Sequence, residues 1–294
     1  MSSAQNEHKI QESYEFCKNL AVSHYENFPV GSFLIPKDKR RYVYSIYAFA
    51  RTADDIADSN ESSYDKFHKL SGLKEDLHKV VKNEFESINE DNKKFLSALS
   101  HTIETLNIPV MEFDDLLAAF MQDAIKSRYE KWGELIEYSK FSANPIGHLI
   151  LILFGYDMKK DAKLFEYSDK ICTALQLTNF WQDVSVDLKI DRVYIPEEVM
   201  RQYEYDYEAL ILGREDKRFH SMMKDLVSRT RNLFLEGKDL INNVSGRLKL
   251  EMKLTYAGGN EILNKIERIN YNVLTERVKL SKTDFIKLFF KTIF

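Results

Sequence analysis

Apolar residues return at helical spacing along almost the whole chain, and Gly, Pro or Asn mark the breaks between periodic stretches. Glu12 to Glu26 reads as an amphipathic helix that stops at Asn27-Phe28-Pro29-Val30-Gly31. Pro36 suits the first turn of the next helix, which runs through Tyr47 and Arg51 to about Asp58 before the polar stretch Ser59 to Ser63. Residues 62–108 predict two helices with solvated faces, because Lys and Glu alternate densely there, and Asn107-Ile108-Pro109 closes the pair. Met111 to Arg128 follows. Trp132 to Phe154 carries Pro145-Ile146-Gly147 inside its pattern, which predicts a kink or an unwound turn. Lys163 to Asp187 is the next helix, Arg192 to Pro196 an extended exit, and three further helices finish the chain. No βαβ alternation, domain linker or internal repeat is visible, so the expectation is one all-α domain over residues 1–294.

Composition supports long helices. Ten Gly and five Pro in 294 residues are too few for many short strands joined by tight turns. A formal net charge of −4 gives no overall case for nucleic acid. Residues 247–294 differ, with 10 Lys and Arg against 5 Asp and Glu, and end in the apolar string FIKLFFKTIF. That segment is either an ordinary helix packed on the body or a peripheral contact to an anionic membrane surface. Cys17 and Cys172 have no metal-like spacing and read as reduced thiols of a cytosolic protein, Cys172 as a small core residue. The polar start lacks a signal-peptide core, and no apolar stretch reaches membrane-spanning length. The expected location is cytoplasmic, with peripheral attachment at the inner membrane face as an option.

Two aspartate pairs stand out against this background. Asp54 and Asp58 lie in YAFARTADDIAD, and Asp183 and Asp187 in LQLTNFWQDVSVD, each at i,i+4 spacing. From Tyr42 to Ala53 the only formal charge is Arg51, and from Ile171 to Val186 it is Asp183. A carboxylate on an apolar helix is expensive unless a cation meets it, so the acidic stripes are expected to face a shared interior cavity. Carboxylates arriving in pairs from separate helices suit Mg²⁺, which accepts a few of them and fills its octahedron with water and substrate phosphate. The implied chemistry is Mg²⁺-dependent handling of a diphosphate.

Tyr47, Arg51, Asp54 and Asp58 share one face, as do Gln176, Asn179, Asp183 and Asp187. Asp55 is one step off its line. Arg51 either meets phosphate oxygens or pairs with Asp54 or Asp55. Arg192 and Tyr194 either cover the diphosphate from the loop side or are a surface Arg and a packed Tyr. Among the 19 Phe and 16 Tyr most must be core, though Phe33, Tyr47, Tyr129 and Trp181 would suit a carbocation pocket. HExxH, GxSxG, Walker and GxGxxG motifs are absent, and His148 in its apolar stretch reads as a satisfied helix residue. Gly258-Gly259 either lets helices approach closely or leaves room for a long ligand.

The strings NFPVGSFLIP, YAFARTADDIAD, FSANPIGHLILILFG, ALQLTNFWQDVSVDL and DRVYIP resemble the squalene/phytoene synthase family, from about Glu12 to Leu288. Within it they are most similar to the hydroxysqualene synthase branch of bacterial hopanoid pathways. The resemblance implies an isoprenoid (terpenoid) synthase helical bundle around a central cavity, with Asp54 and Asp58 as the first metal motif and Asn179, Asp183 and Asp187 as the second. It places Arg51, Gln176, Tyr47, Ser32 and Phe33 at substrate-contacting positions. Several residues depart from relatives as the family is known. Pro29 and Val30 replace the His-Ser of dehydrosqualene synthases, Gln182 replaces an Arg, and a substrate-contacting Tyr of the C-terminal helices is replaced near Gly259, with Tyr256 one turn earlier. Asp191 stands where Gly is usual in the hydroxysqualene branch, and His148 where Arg is usual.

The reaction implied is ionisation of presqualene diphosphate and capture of the cation by water, giving hydroxysqualene without a redox cofactor; Tyr129, Asn144 and Asn179 are candidates to hold that water. One alternative is head-to-head condensation of two farnesyl diphosphates to presqualene diphosphate, squalene or dehydrosqualene. Another is a non-catalytic assembly protein on the same scaffold, against which the retention of all four motif carboxylates weighs. Neighbouring pathway enzymes are conceivable partners.

Overall fold

The structure, a computed structural model, describes residues 3–23 and 34–293. Ser32 and Phe33, with Pro29 and Val30, lie outside the described residues. Fourteen α-helices account for most of what is described, and the only β pairing there is one isolated parallel bridge between Arg128 and Val193. The all-α expectation therefore holds. The chain divides into two compact units, residues 1–125 with 148–158, and residues 126–147 with 159–294.

The first unit holds α1 (Ser3–Ser23), α2 (Arg40–Ala57), α3 (Ser63–Val81), α4 (Glu90–Leu106) and α5 (Met111–Asp123). Helix α2 starts later than Pro36 suggests. Residues 37–39 form a turn in which the Lys39 amide donates to Pro36 O at 3.0 Å, and the helix proper begins at Arg40. Hydroxyls tie α1, α2 and α4 together inside an apolar core: Tyr14 Oη lies 2.9 Å from Thr102 Oγ1, and Ser45 Oγ 2.7 Å from the same oxygen. Ser13 Oγ donates to Lys94 O and accepts from the Ala98 amide. Each hydroxyl is satisfied, so burying it carries no open desolvation penalty. Phe49 of α2 meets Phe113 of α5 edge to face at 5.3 Å. His148 is not poised for catalysis, since its Nδ1 sits 2.8 Å from Glu112 Oε2 in a largely buried pair.

The second unit is built on α8 (Ala162–Asp187), joined by α6 (Trp132–Ser142), α9 (Glu197–Gln202), α10 (Tyr207–Ile211), α11 (Lys217–Gly237), α12 (Asp239–Asn243), α13 (Gly246–Arg268) and α14 (Lys282–Ile293). Three long helices and three short ones thus follow the extended exit, where the sequence pattern showed only three. The break expected at Pro145 is present: α6 ends at Ser142, and α7 (Asn144–Leu153) opens with Pro145 in its first turn, where its missing amide is harmless.

Helices α8 and α11 run antiparallel. The fully buried Trp181 donates from Nε1 to Thr230 Oγ1 at 2.8 Å, and Gly237 abuts Ile171 and Tyr167. Trp181 is therefore core, not pocket lining. Gly147 packs its backbone on Ser168 and Cys172, where a Cβ would meet Oγ at 2.3 Å and Sγ at 2.6 Å. Neither cysteine forms a disulfide, and burial pushes both thiols up to about 12. At Gly259 a Cβ would stand 2.5 Å from Phe234 Cζ and 2.9 Å from Leu175 Cδ2, while at Gly258 the nearest atom is an ordinary 3.6 Å away. The diglycine thus serves helix approach at its second residue. Gly259→Ala is expected to destabilise by about 1–3 kcal/mol through overpacking, whereas Gly258→Ala should be neutral or slightly stabilising. Urea denaturation of the two variants checks this, and equal effects would contradict the packing argument.

Candidate active site

In the first unit the acidic motif occupies the end of α2. Asp54 and Asp55 lie in its last turn and Asp58 is the C-cap, its amide donating to Asp54 O at 2.8 Å. No basic residue lies in that turn. The helix dipole places partial negative charge here, so three carboxylates at this end work against it. Arg51, one turn back, answers part of the charge: Nη1 contacts Asp54 Oδ2 at 3.1 Å, and Nη2 contacts Asp55 Oδ1. The ion-pair reading of Arg51 is therefore correct for this structure. Its Nε is nevertheless buried with no hydrogen-bond partner, a donor that a phosphate oxygen would satisfy. Tyr47 follows on the same face, its phenol pushed up by burial with Arg51 opposing the shift. Asp55 lines a separate groove with Phe16, Leu20, Thr52 and Ile56, which explains its offset from the Asp54–Asp58 line.

In the second unit, α8 buries Leu177, Phe180, Trp181 and Val184. Gln176, Asp183 and Asp187 are half-buried and Asn179 is exposed, forming the polar strip of an otherwise apolar helix. Asp187 is the last residue of α8, and again no basic residue lies in the final turn. Burial first, then the Asp183 charge, raises Asp187 to about 7, with Arg192 and Arg277 opposing the shift. Arg192 donates its amide to Asp187 O at 2.9 Å and shares a small recess with Asp187, Phe180, Val184 and Tyr194. Tyr194 is a packed residue, stacked on Phe180 with centroids 3.7 Å apart.

Asp183 has a partner that motif reading missed. Arg277 grips it in a bidentate pair, Nε to Oδ1 at 2.6 Å and Nη2 to Oδ2 at 2.8 Å. Gln182 beside it donates to Val278 O at 2.8 Å. Glu215 accepts from the Leu274 amide at 2.7 Å and from Thr275 Oγ1 at 2.8 Å, so residues 274–278 form a strap anchored at both ends. Nothing local in the sequence links Arg277 to Asp183; a lone Arg among basic residues looks like surface.

The remaining predicted contacts divide. Tyr129 is 1% exposed, packed against Tyr138 and Tyr194, with Lys126 Nζ 4.6 Å from its ring centroid. Asn144 is buried and its Oδ1 accepts from Thr173 Oγ1 at 3.1 Å. Of the three residues expected to hold water, only Asn179 is exposed. Asp191 adopts the left-handed conformation (φ 57°), which glycine takes without strain, and pairs with Arg128. Among the described residues no group of three or more His, Cys, Asp and Glu is placed to hold a metal ion, so within its unit each motif offers a pair of carboxylates.

Comparison with known proteins agrees with this architecture. Residues 21–284 match the family model described as squalene/phytoene synthase. The chain is 31% identical over 264 residues to hydroxysqualene synthase of Rhodopseudomonas palustris, covering 89% of this chain and 85% of that one. It is 27% identical to 15-cis-phytoene synthase of a Synechocystis species, covering 91% and 80%. The crystal structure of squalene synthase HpnC from Alicyclobacillus acidocaldarius superposes with a TM-score of 0.82 at 34% identity, covering 90% of this chain and 96% of that one. An all-helical chain with two acidic motifs at helix ends, matched over nearly its full length, is a member of the squalene/phytoene synthase family and has the isoprenoid synthase fold.

Proposed function

We propose that this enzyme ionises presqualene diphosphate and lets water capture the resulting cation, releasing hydroxysqualene and diphosphate. The observation that carries the reading is the placement of Asp54/Asp58 and Asp183/Asp187 at helix C-termini whose last turns hold no basic residue. The chain's own cations answer part of this charge, Arg51 at Asp54 and Arg277 at Asp183, and a divalent cation suits carboxylates gathered where the helix dipole is already negative. Their chemistry fits Mg²⁺, which takes few protein oxygens and leaves positions for water and phosphate. When bound, Mg²⁺ would supply the positive charge that stabilises diphosphate as it departs.

The protein's own groups do the rest. Asp54 and Asp58 in the first unit, and Asp183 and Asp187 in the second, would be the ligands, with the Asn179 side chain one turn before Asp183 as a further oxygen. Arg51 offers its buried Nε to a phosphate oxygen, and Arg192 lies beside Asp187 in position to assist. The carbon–oxygen bond breaks with its electron pair leaving on diphosphate. After rearrangement, water oxygen forms the new bond and gives up a proton. Tyr129, Tyr138, Phe180 and Tyr194 form an aromatic cluster that stabilises positive charge and excludes bulk water.

The 31% identity to a hydroxysqualene synthase supports this branch. Condensation of two farnesyl diphosphates is the second reading, favoured by the nearly equal similarity to a phytoene synthase. Purified protein with Mg²⁺ and no NADPH, given each substrate separately, distinguishes them by gas chromatography with mass detection. Hydroxysqualene from presqualene diphosphate with farnesyl diphosphate untouched is expected; consumption of farnesyl diphosphate would replace the first reading by the second.

Asp54→Asn and Asp183→Asn should each lower kcat/KM by roughly 10²–10³-fold, the scale of losing one element of transition-state electrostatics, with helicity by circular dichroism unchanged. Retained turnover would remove the metal-ligand assignment. Asp187 gives a test that needs no substrate. An unfolded aspartate titrates near 3.9, whereas the folded one is held up to about 7. Its folded-state contribution is therefore present at low pH and falls away progressively between about 4 and about 7. In metal-free protein, the melting temperature of Asp187→Asn should exceed that of the parent by a margin that grows from pH 5 to pH 8. A pH-independent margin would show that Asp187 is not raised.

A further inference from the structure

Helix α14 carries its apolar residues on the outside. Phe285, Ile286, Phe289 and Phe290 are 40%, 56%, 43% and 57% exposed. At 100° per residue these four span one face of the helix. The opposite edge holds α14 onto α13. Lys265 binds Asp284 at 2.8 Å, and Lys253 Nζ approaches Thr292 O at 3.4 Å. The helix start is fixed by a reciprocal cap, Ser281 N to Asp284 Oδ2 at 2.8 Å and Asp284 N to Ser281 Oγ at 3.2 Å. The outward face is thus built into an anchored helix and is not the result of fraying.

Charge around the face has one sign. Asp284 is the only acidic residue on α14 and is spent on Lys265, while Lys282, Lys287 and Lys291 lie exposed on the same helix. The exposed apolar area is on the order of 400 Å², taking about 200 Å² per large side chain, well short of the roughly 800 Å² per partner that a stable protein interface needs. A short helix with an aromatic face and flanking lysines is the pattern that lies in the headgroup layer of a bilayer.

We infer that α14 docks this protein on the surface of a membrane containing anionic lipid, with Phe285, Ile286 and Phe289 inserted and Lys282 and Lys287 meeting lipid phosphate or carboxylate groups. Insertion is interfacial, since no described helix is long and apolar enough to cross a membrane. The inference stands on α14 alone and is independent of which prenyl diphosphate is the substrate.

The test is flotation of the full chain with vesicles of phosphatidylcholine alone or with about 30% phosphatidylserine, at low and at high salt, alongside Phe285→Ser/Phe289→Ser and Lys282→Glu/Lys287→Glu double variants. The parent should float with the anionic vesicles, and binding should fall roughly fivefold per lysine removed at low salt and by at least about tenfold with the serine pair. Both pairs change exposed side chains, so melting temperature should stay at the parental value. Failure to float with anionic vesicles, or equal flotation with neutral ones, would overturn the inference. So would a dimer seen by light scattering that the serine pair dissolves while flotation is absent, since the face would then belong to a second copy.

Discussion

The structure depends on how negative charge is tolerated at the ends of two apolar helices. Helices α2 and α8 are fixed by burial: Ala48, Phe49 and Ala53 on one, Leu177, Phe180 and Trp181 on the other, all packed at or near zero exposure. Packing of this kind leaves no freedom to turn the helix and move a carboxylate into water. Each helix then ends in aspartates where its own dipole is already negative. The fold answers only part of that charge. Arg51 pairs with Asp54 and Asp55, and Arg277 with Asp183, while Asp187 is left with opposition from Arg192 and Arg277 that does not outweigh burial.

Residues 274–278 acquire their role from this imbalance. Arg277 reaches Asp183 across 94 positions of sequence, from a strap that Glu215 and Gln182 hold at either end. Gln182, beside Asp183 on α8, bonds the strap backbone instead of meeting an anion. Positive charge at this carboxylate therefore comes from a loop and not from α8 itself. A loop-borne guanidinium can leave its carboxylate at lower cost than one packed into the helix.

Much of this was legible from residue order. Helix periodicity, the break at Pro145 and the two acidic stripes follow from local rules that tertiary packing did not override. What was not legible has definable causes. The start of α2 moved from Pro36 to Arg40 because a proline permits a first turn without requiring one, and a separate turn at 37–39 satisfies the same geometry. The short helices α9, α10 and α12 have five or six residues each, too few for a periodicity to register. Asp191 holds a left-handed backbone conformation that a non-glycine residue rarely adopts, a property that the residue's identity conceals. Aromatic residues were ambiguous one by one. Trp181 turned out to be core because its indole finds Thr230, a contact that depends on how α11 folds back. The sign of amphipathicity is likewise invisible: periodicity shows that α14 has an apolar face but not that Asp284 and Lys265 would turn it outward.

Stability and chemistry pull the acidic residues in opposite directions. A chain selected only for folding would place asparagine or lysine in the last turns of α2 and α8, satisfying the dipole and lowering the cost of burial. Four aspartates in or beside those turns make sense if further positive charge is brought by what the protein binds. Any cation that neutralises them in the bound state then contributes both affinity and order, because it removes a repulsion that the free protein carries. Local propensity and global fold agree along nearly the whole chain and conflict at these two helix ends, and a conflict confined to such positions is what a functional site leaves in a sequence.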